Sequence, residues 1–252
     1  MPEESLILWP RATWWDHAWN PMIGCRKCSP ACQNCWAETW AKRFHQSFEP
    51  HPTKQKPPKK GVVFCGSLTD LFGEFVDVFD SVGFIAQCIN AKADAYIWLT
   101  KRAGKMREAL EIGQLPTDDG MTAFEELGIE FRNHYFGFTA ENQKWFNIRV
   151  DAAAEIPLAF NQWLSAEPLL GPIDMGDMVE MFKWVVVGCE SGPDRRPCKI
   201  EWVESIVEQC LAANVPVFVK QLDLNGKCET DINKFPEHLR IRQVPWTIVE
   251  SK

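Results

Sequence analysis

The feature that most constrains this chain is an alternation. Six short β-branched or aromatic runs, at residues 62–65, 96–100, 135–139, 160–165, 184–188 and 216–220, are separated for the most part by amphipathic stretches. Each run is about five residues, the length of a strand buried on both faces of a parallel sheet. Residues 75–93 place Val78, Phe79, Val82, Ile85, Ala86 and Ile89 at helical spacing, and 142–154 and 201–213 show the same pattern. Residues 36–47 (WAETWAKRFHQS) also read as a helix, with Trp40 and Phe44 four apart. Strand alternating with helix implies a parallel sheet with helices outside it. Right-handed crossovers then favour a TIM-like parallel β/α barrel, partial or closed, over a doubly wound open sheet. The 252 residues suit a single barrel domain. No repeat or linker divides them. Residues 25–35 form a cysteine loop, and 222–252 a C-terminal extension. The Pro- and Lys-rich stretch 49–60, between Phe48 and Gly61, reads as a solvated connector, with further loops at 114–120 and 222–236.

Composition narrows the function. A net charge of −7 argues against a broad basic surface for duplex DNA, though not against a local cationic pocket. No apolar run approaches the ~18 residues of a membrane helix, and the N-terminus lacks a signal-peptide pattern, so a cytoplasmic protein without membrane contact is expected. There are 12 Trp against 2 Tyr, so aromatic stacking rests on Trp and Phe. Ten Cys in a reducing compartment point to metal or redox chemistry before disulfides.

Ligands of parallel α/β folds bind at the carboxyl ends of the strands. Here those ends are polar: Gly66, Ser67, Thr69 and Asp70; Thr100, Lys101 and Arg102; Thr139, Glu141 and Asn142; Glu167; Glu190, Ser191, Asp194, Arg195 and Arg196; Lys220 and Gln221. Asp70, Asn142 and Ser191 are each compatible with helix N-caps. Burying Lys101, Glu167, Glu190 and Lys220 is costly unless they pair or meet a polar ligand, and these four are the candidate catalytic residues. A rim of both signs suits a zwitterion, with its amino group near Glu or carbonyls and its carboxylate near Lys101 or Arg102.

The strongest motif is Cys25-Arg26-Lys27-Cys28-Ser29-Pro30-Ala31-Cys32-Gln33-Asn34-Cys35, spaced C-x2-C-x3-C-x2-C. Compact runs of this kind hold iron–sulfur clusters. A four-cysteine zinc site usually separates its knuckles by a longer insert, often ~15–20 residues. Zinc remains the alternative, followed by structural thiols. Among the scattered cysteines, Cys88 and Cys210 fall on apolar helix faces, while Cys189 and Cys198 flank the loop 190–197. His17 and His45 read as structural.

Cys28-x3-Cys32-x2-Cys35 resembles the motif of radical S-adenosylmethionine (SAM) enzymes. The segments WNPMIGC (19–25), CQNCWAE (32–38), CGSLTDLF (65–72), LTKR (99–102), AEPLLGPID (166–174), VVGCESGPDRRP (186–197) and FVKQ (218–221) are similar to a phage-associated bacterial three-cysteine-motif family of unknown function. That family in turn resembles radical SAM enzymes in barrel and cysteine motif. The resemblance implies a 4Fe–4S cluster held by three thiolates, SAM on the remaining iron and an external electron donor. The family spacing C-x6-C-x2-C selects Cys25, Cys32 and Cys35; the superfamily spacing selects Cys28 in place of Cys25. Ligation by all four would leave no open iron. The turn at Gly66 and Ser67 would receive the SAM amino group. The usual acidic residue is missing from 65–67, and Asp70 is expected on a helix. Lys101 or Arg102, beside Thr100, would hold the carboxylate, and Glu141 or Asn142 the ribose.

Three functions compete. The first is a radical SAM enzyme acting on an unknown substrate, with the phage association suggesting a nucleotide or nucleic-acid base stacked by loop Trp and Arg and touched by lysines 54–60. The second is a metal-stapled barrel that binds nucleic acid or a partner protein in a phage or defence system. The third is a hydrolase pairing Glu167 with Glu190.

Overall fold

The computed structural model describes residues 7–88, 91–115, 122, 124, 131–157 and 159–246. The expected helix position Ile89, most of the 114–120 loop and the end of the C-terminal extension lie outside them. The chain divides into two compact units, one of Trp15–Phe138 with Ile148–Asn161, the other of Met1–Trp14, Thr139–Asn147 and Gln162–Lys252.

The first, the cysteine unit, carries β1 (His17–Trp19), β2 (Val62–Cys65), β3 (Ala95–Thr100) and β4 (His134–Thr139). They pair in parallel in that order, with His17 opposite Val63, Val62 opposite Ala95 and Tyr96 opposite His134. Every residue of β2 and β4 is buried, which is why these strands lack polar alternation. Helices α1 (Trp36–Arg43), α2 (Val78–Gln87) and α3 (Ala103–Gly113) connect them. Asp77 caps α2 by accepting the Phe79 N–H at 2.8 Å. Helix α3 buries Met106, Ala109, Leu110 and Gly113, the stripe that 3.6 residues per turn produces.

The second, C-terminal unit carries β5 (Asn161–Ala166), β6 (Phe182–Gly188) and β7 (Val217–Leu224), again parallel, and β8 (Lys227–Glu229) antiparallel to β7. Helix α4 (Gln143–Ala154) precedes β5, and α5 (Ile200–Ala212) links β6 to β7. Helix α5 buries Val203, Ile206, Val207 and Cys210. The expected 222–236 loop is in part a hairpin, because Asn225 and Gly226 both adopt positive φ (51° and 73°) and allow a two-residue turn.

The architecture is therefore mixed α/β and mostly parallel, as the alternation implies. All six expected strands are present, shifted by up to four residues at their ends. The expected 36–47 helix stops at Arg43, and His45 turns left-handed at φ 52°. Most Trp is core rather than stacking surface. Trp14 packs edge-on against Trp163 and Trp184 with centroids 5.4 Å apart, and Trp246 lies 4.9 Å from Trp184. Among the described residues no helix is long and apolar enough to cross a membrane.

Candidate metal centre

The cysteine loop is pinned at its start by backbone. After the short pairing of Met22–Ile23 with His51–Pro52, the Gly24 N–H donates to Leu68 O at 3.1 Å and the Cys25 N–H to Phe48 O at 3.2 Å. Thr69 Oγ1 donates to Gly24 O at 2.6 Å. Gly24 sits at φ 92°, and a Cβ there would lie 2.4 Å from Glu49 O. Only glycine fits both demands. A short 3-10 turn then closes with Cys32 N–H on Ser29 O at 2.9 Å, and Cys35 opens α1.

Three of the clustered cysteines line one cleft. Cys25, Cys32 and Cys35 line an open cleft of about 320 Å³ together with Arg26, Lys27, Glu38 and the backbone-bearing stretch 47–49. Cys28 is absent from that lining. The neighbouring Cys28 thiol, with the Lys101 ammonium nearby, favours Cys32 as thiolate. Burial, reinforced by Asp70, pushes the Cys25 thiol up to about 11. At the mouth, Glu38 pairs with Lys27 at 3.0 Å and Lys42 at 2.8 Å. Among the described residues no three His, Cys, Asp or Glu side chains form a group that could hold one metal ion.

Beneath the loop lies a buried ionic network. Asp70 is not helical. It is 5% exposed and accepts from four donors: Thr100 Oγ1 at 2.7 Å, Phe72 N at 3.1 Å, Lys101 N at 3.0 Å and Arg102 Nη1 at 2.9 Å. The Arg102 guanidinium also meets Glu74 through Nε and donates from Nη2 to Arg26 O at 2.8 Å. Thr100 and Arg102 thus hold up the cysteine loop from the end of β3. The Lys101 charge lies near Cys25 and Cys32, and its carbonyl accepts from Arg149 Nε at 2.9 Å.

In the turn after β2, Gly66 adopts a left-handed φ of 78°. Ser67 Oγ exchanges hydrogen bonds with the Asn20 side chain at 3.2 Å, and Asn20 Oδ1 also accepts the Leu68 N–H at 2.8 Å. Asn20, Asp70 as an acceptor hub and Arg149 are residues that sequence reasoning missed. Apart from Phe72, their partners lie 30 to 48 positions away in sequence, and the one available signal was the cost of burying a charge near a strand end.

The remaining expected residues fall in the C-terminal unit. Glu141 is fully buried. Asn142 Oδ1 accepts the Trp145 N–H at 3.3 Å, so it caps α4 as the helix-cap reading has it. Glu167 pairs with Lys220 at 3.0 Å; the β6–β7 register shifts between Val219 and Gln221, around Lys220. Glu190, 4% exposed, accepts the Arg196 N–H at 2.8 Å and Nε at 2.9 Å. Each carboxylate of the Glu167/Glu190 pair is thus matched to its own cation.

These features define an α/β protein with a mostly parallel sheet and a cysteine-lined cleft. The chain belongs to the family described as protein of unknown function (DUF5131), whose model matches residues 10–234. No curated protein and no solved structure matches it.

Proposed function

We propose that this protein is an iron–sulfur enzyme of the radical SAM kind, with Cys25, Cys32 and Cys35 as the cluster ligands. The observation that carries the reading is the shared cleft: three of the four clustered thiols line it and Cys28 does not. A cuboidal cluster takes its thiolates on separate irons, so it needs sulfurs spaced around a cavity rather than converging on a point. The donor chemistry fits, since one thiol already favours its thiolate and Lys27 and Lys101 stand near to offset negative charge. The C-x6-C-x2-C spacing of Cys25, Cys32 and Cys35 is that of the three-cysteine-motif family, whose resemblance to radical SAM enzymes supports the cofactor pair, and the strand–helix alternation supports a TIM-like β/α barrel. Cys25, Cys32 and Cys35 would hold a 4Fe–4S cluster with one iron free of protein ligands, and that cluster would supply the electron for reductive cleavage of SAM.

The chain's own contribution is positional. Gly24 and the Arg102–Asp70 pair fix the loop that presents Cys25. Lys101, not Arg102, is the cation left to meet a carboxylate, because the Arg102 donors are committed. Trp36, 51% exposed at the start of α1, and the pair of Trp40 with Phe44 at its end supply aromatic surface for a nucleotide or nucleic-acid base. An external donor supplies electrons.

Anaerobic purification and reconstitution with iron and sulfide test this. About four irons per chain are expected, lost in Cys25→Ala, Cys32→Ala and Cys35→Ala but kept in Cys28→Ala. Reductant and SAM should then yield 5′-deoxyadenosine. A colourless protein with one zinc and no sulfide refutes the enzyme and favours the metal-stapled binding module. Iron kept by Cys25→Ala and lost by Cys28→Ala refutes the ligand triad.

A further inference from the structure

A second group of thiols lies in the C-terminal unit, away from the cysteine loop in sequence and outside the chemistry proposed above. Cys189 follows the last residue of β6, and Cys228 sits in the middle of β8. The strand pairings bring them to the same end of β7: Gly188 is opposite Gln221, and Asp223 is opposite Cys228. Cys189 is held there by both backbone groups, its N–H on Gln221 O at 3.2 Å and its carbonyl accepting from Gln221 Nε2 at 2.6 Å. The two sulfurs are 3.7 Å apart.

We propose that Cys189 and Cys228 form a redox-active dithiol, oxidised to an intramolecular disulfide by low-molecular-weight disulfides of the glutathione class.

The two thiols are unlike in the way such a couple requires. Cys189 is 2% exposed, whereas Cys228 is partly exposed on the hairpin. Cys228 is the attacking group. The Cys189 thiol donates to it, Arg195 and Lys220 lie near it, and together they hold it below the usual thiol range. Arg195 is fixed by Gly226 O in the hairpin turn and by Asp223 at 3.5 Å. Cys189 stays protonated until needed, because its hydrogen bond to Cys228, then burial and the Cys228 charge, push it up. The neighbouring Cys198 is the spectator: it is buried, and burial with Asp223 pushes its thiol up to about 12.

The chemistry balances in two exchanges. The Cys228 thiolate attacks one sulfur of the disulfide RSSR, the S–S bond breaks and one RS⁻ leaves. Cys189 then gives up its proton to the departing thiolate and attacks the Cys228 sulfur, releasing the second RS⁻, which takes a proton from water. Two thiols are oxidised and one external disulfide is reduced to two RSH.

Peptide mapping of the full chain after exposure to oxidised glutathione and alkylation of the remaining thiols reads each cysteine separately. The expected product is a Cys189–Cys228 linked peptide pair two hydrogens lighter than its parts, reversed by dithiothreitol. Before oxidation, Cys228 should alkylate on the order of tenfold faster than the buried Cys210. Cys189→Ser should trap glutathione on Cys228, and Cys228→Ser should leave Cys189 without an adduct. Linkage of Cys228 to Cys198, no linked pair in the native chain, or no trapped adduct in Cys189→Ser overturns the proposal. None of these outcomes depends on iron, so the result stands apart from the test of the cluster.

Discussion

Replacing Asp70 by Asn probes the network under the cysteine loop most sharply, because it changes one atom and removes the charge. Asp70 Oδ1 and Oδ2 each accept two donors. An amide keeps one accepting oxygen and turns a donating nitrogen toward the other pair. In one orientation it faces Thr100 Oγ1 and the Phe72 N–H; in the other it faces the Lys101 N–H and Arg102. Either way two donors lose their acceptor, at about 1–3 kcal/mol for each one left buried. The Arg102 side chain, 6% exposed, keeps Glu74, but that carboxylate is 62% exposed and contributes little in water. Breaking a buried pair by removing one partner costs about 3–5 kcal/mol, and that figure is the expected loss here. It is a large share of the ~5–15 kcal/mol that a domain has in total. Urea unfolding of Asp70→Asn against the native chain measures it, with Arg102→Met and the double variant completing a cycle. The double variant should be less damaged than the two single losses added together, because it removes the uncompensated charge along with its partner. A loss below about 1 kcal/mol for Asp70→Asn, or strict additivity, refutes the network as drawn.

Gly24→Ala should weaken the same loop by a different route: a Cβ 2.4 Å from Glu49 O at φ 92° forces the 47–49 backbone away. Reconstituted iron should fall severalfold while the far-ultraviolet dichroism stays native, and full iron retention contradicts the anchoring role. His134 links stability to pH. It is 3% exposed, its Nδ1 accepts from Trp98 Nε1 at 3.2 Å, and burial holds its pKa down to about 3. The unfolded chain binds the proton near the ordinary ~6.5 while the folded chain refuses it, so stability is full above that value and falls as pH drops toward 3. Between about pH 7.5 and pH 5 the loss should be about 2 kcal/mol by chemical denaturation. His134→Gln should lack that component, and an equal pH dependence in both proteins disproves it.

Strand positions were legible because buried parallel strands are written as runs: VVFC at β2 and the Trp184–Gly188 part of β6 are apolar without interruption. The rim was legible in outline, since Thr100, Lys101, Arg102 and Glu167 all stand where a strand ends, whereas Lys220 falls in the middle of β7, which runs on to Leu224. Their roles were not legible. Arg102, expected to meet a ligand, instead bonds a carbonyl 76 positions earlier, and no local pattern encodes such a partner. Asp70 reads as a helix cap because Asp before an apolar stretch usually is one; here the fold brings Thr100 and Arg102 to it instead. The β7–β8 hairpin was missed for a different reason. Its Asn225-Gly226 pair is a local signal for a tight turn, but the polar residues around it lacked the alternation that marks a strand. Helix α1 was overextended because Phe44 continues the spacing of Trp40, while His45 turns the backbone left-handed immediately afterwards.

The indole cluster of the C-terminal unit carries its own optical label. Trp14, Trp163, Trp184 and Trp246 hold their rings 4.9 to 5.4 Å apart at fixed tilts. Transition dipoles this close mix, so the unit should show paired near-ultraviolet dichroic bands of opposite sign that solvated indoles lack. Those bands vanish once the rings drift apart, which makes the chain its own probe of that unit's integrity without any attached dye.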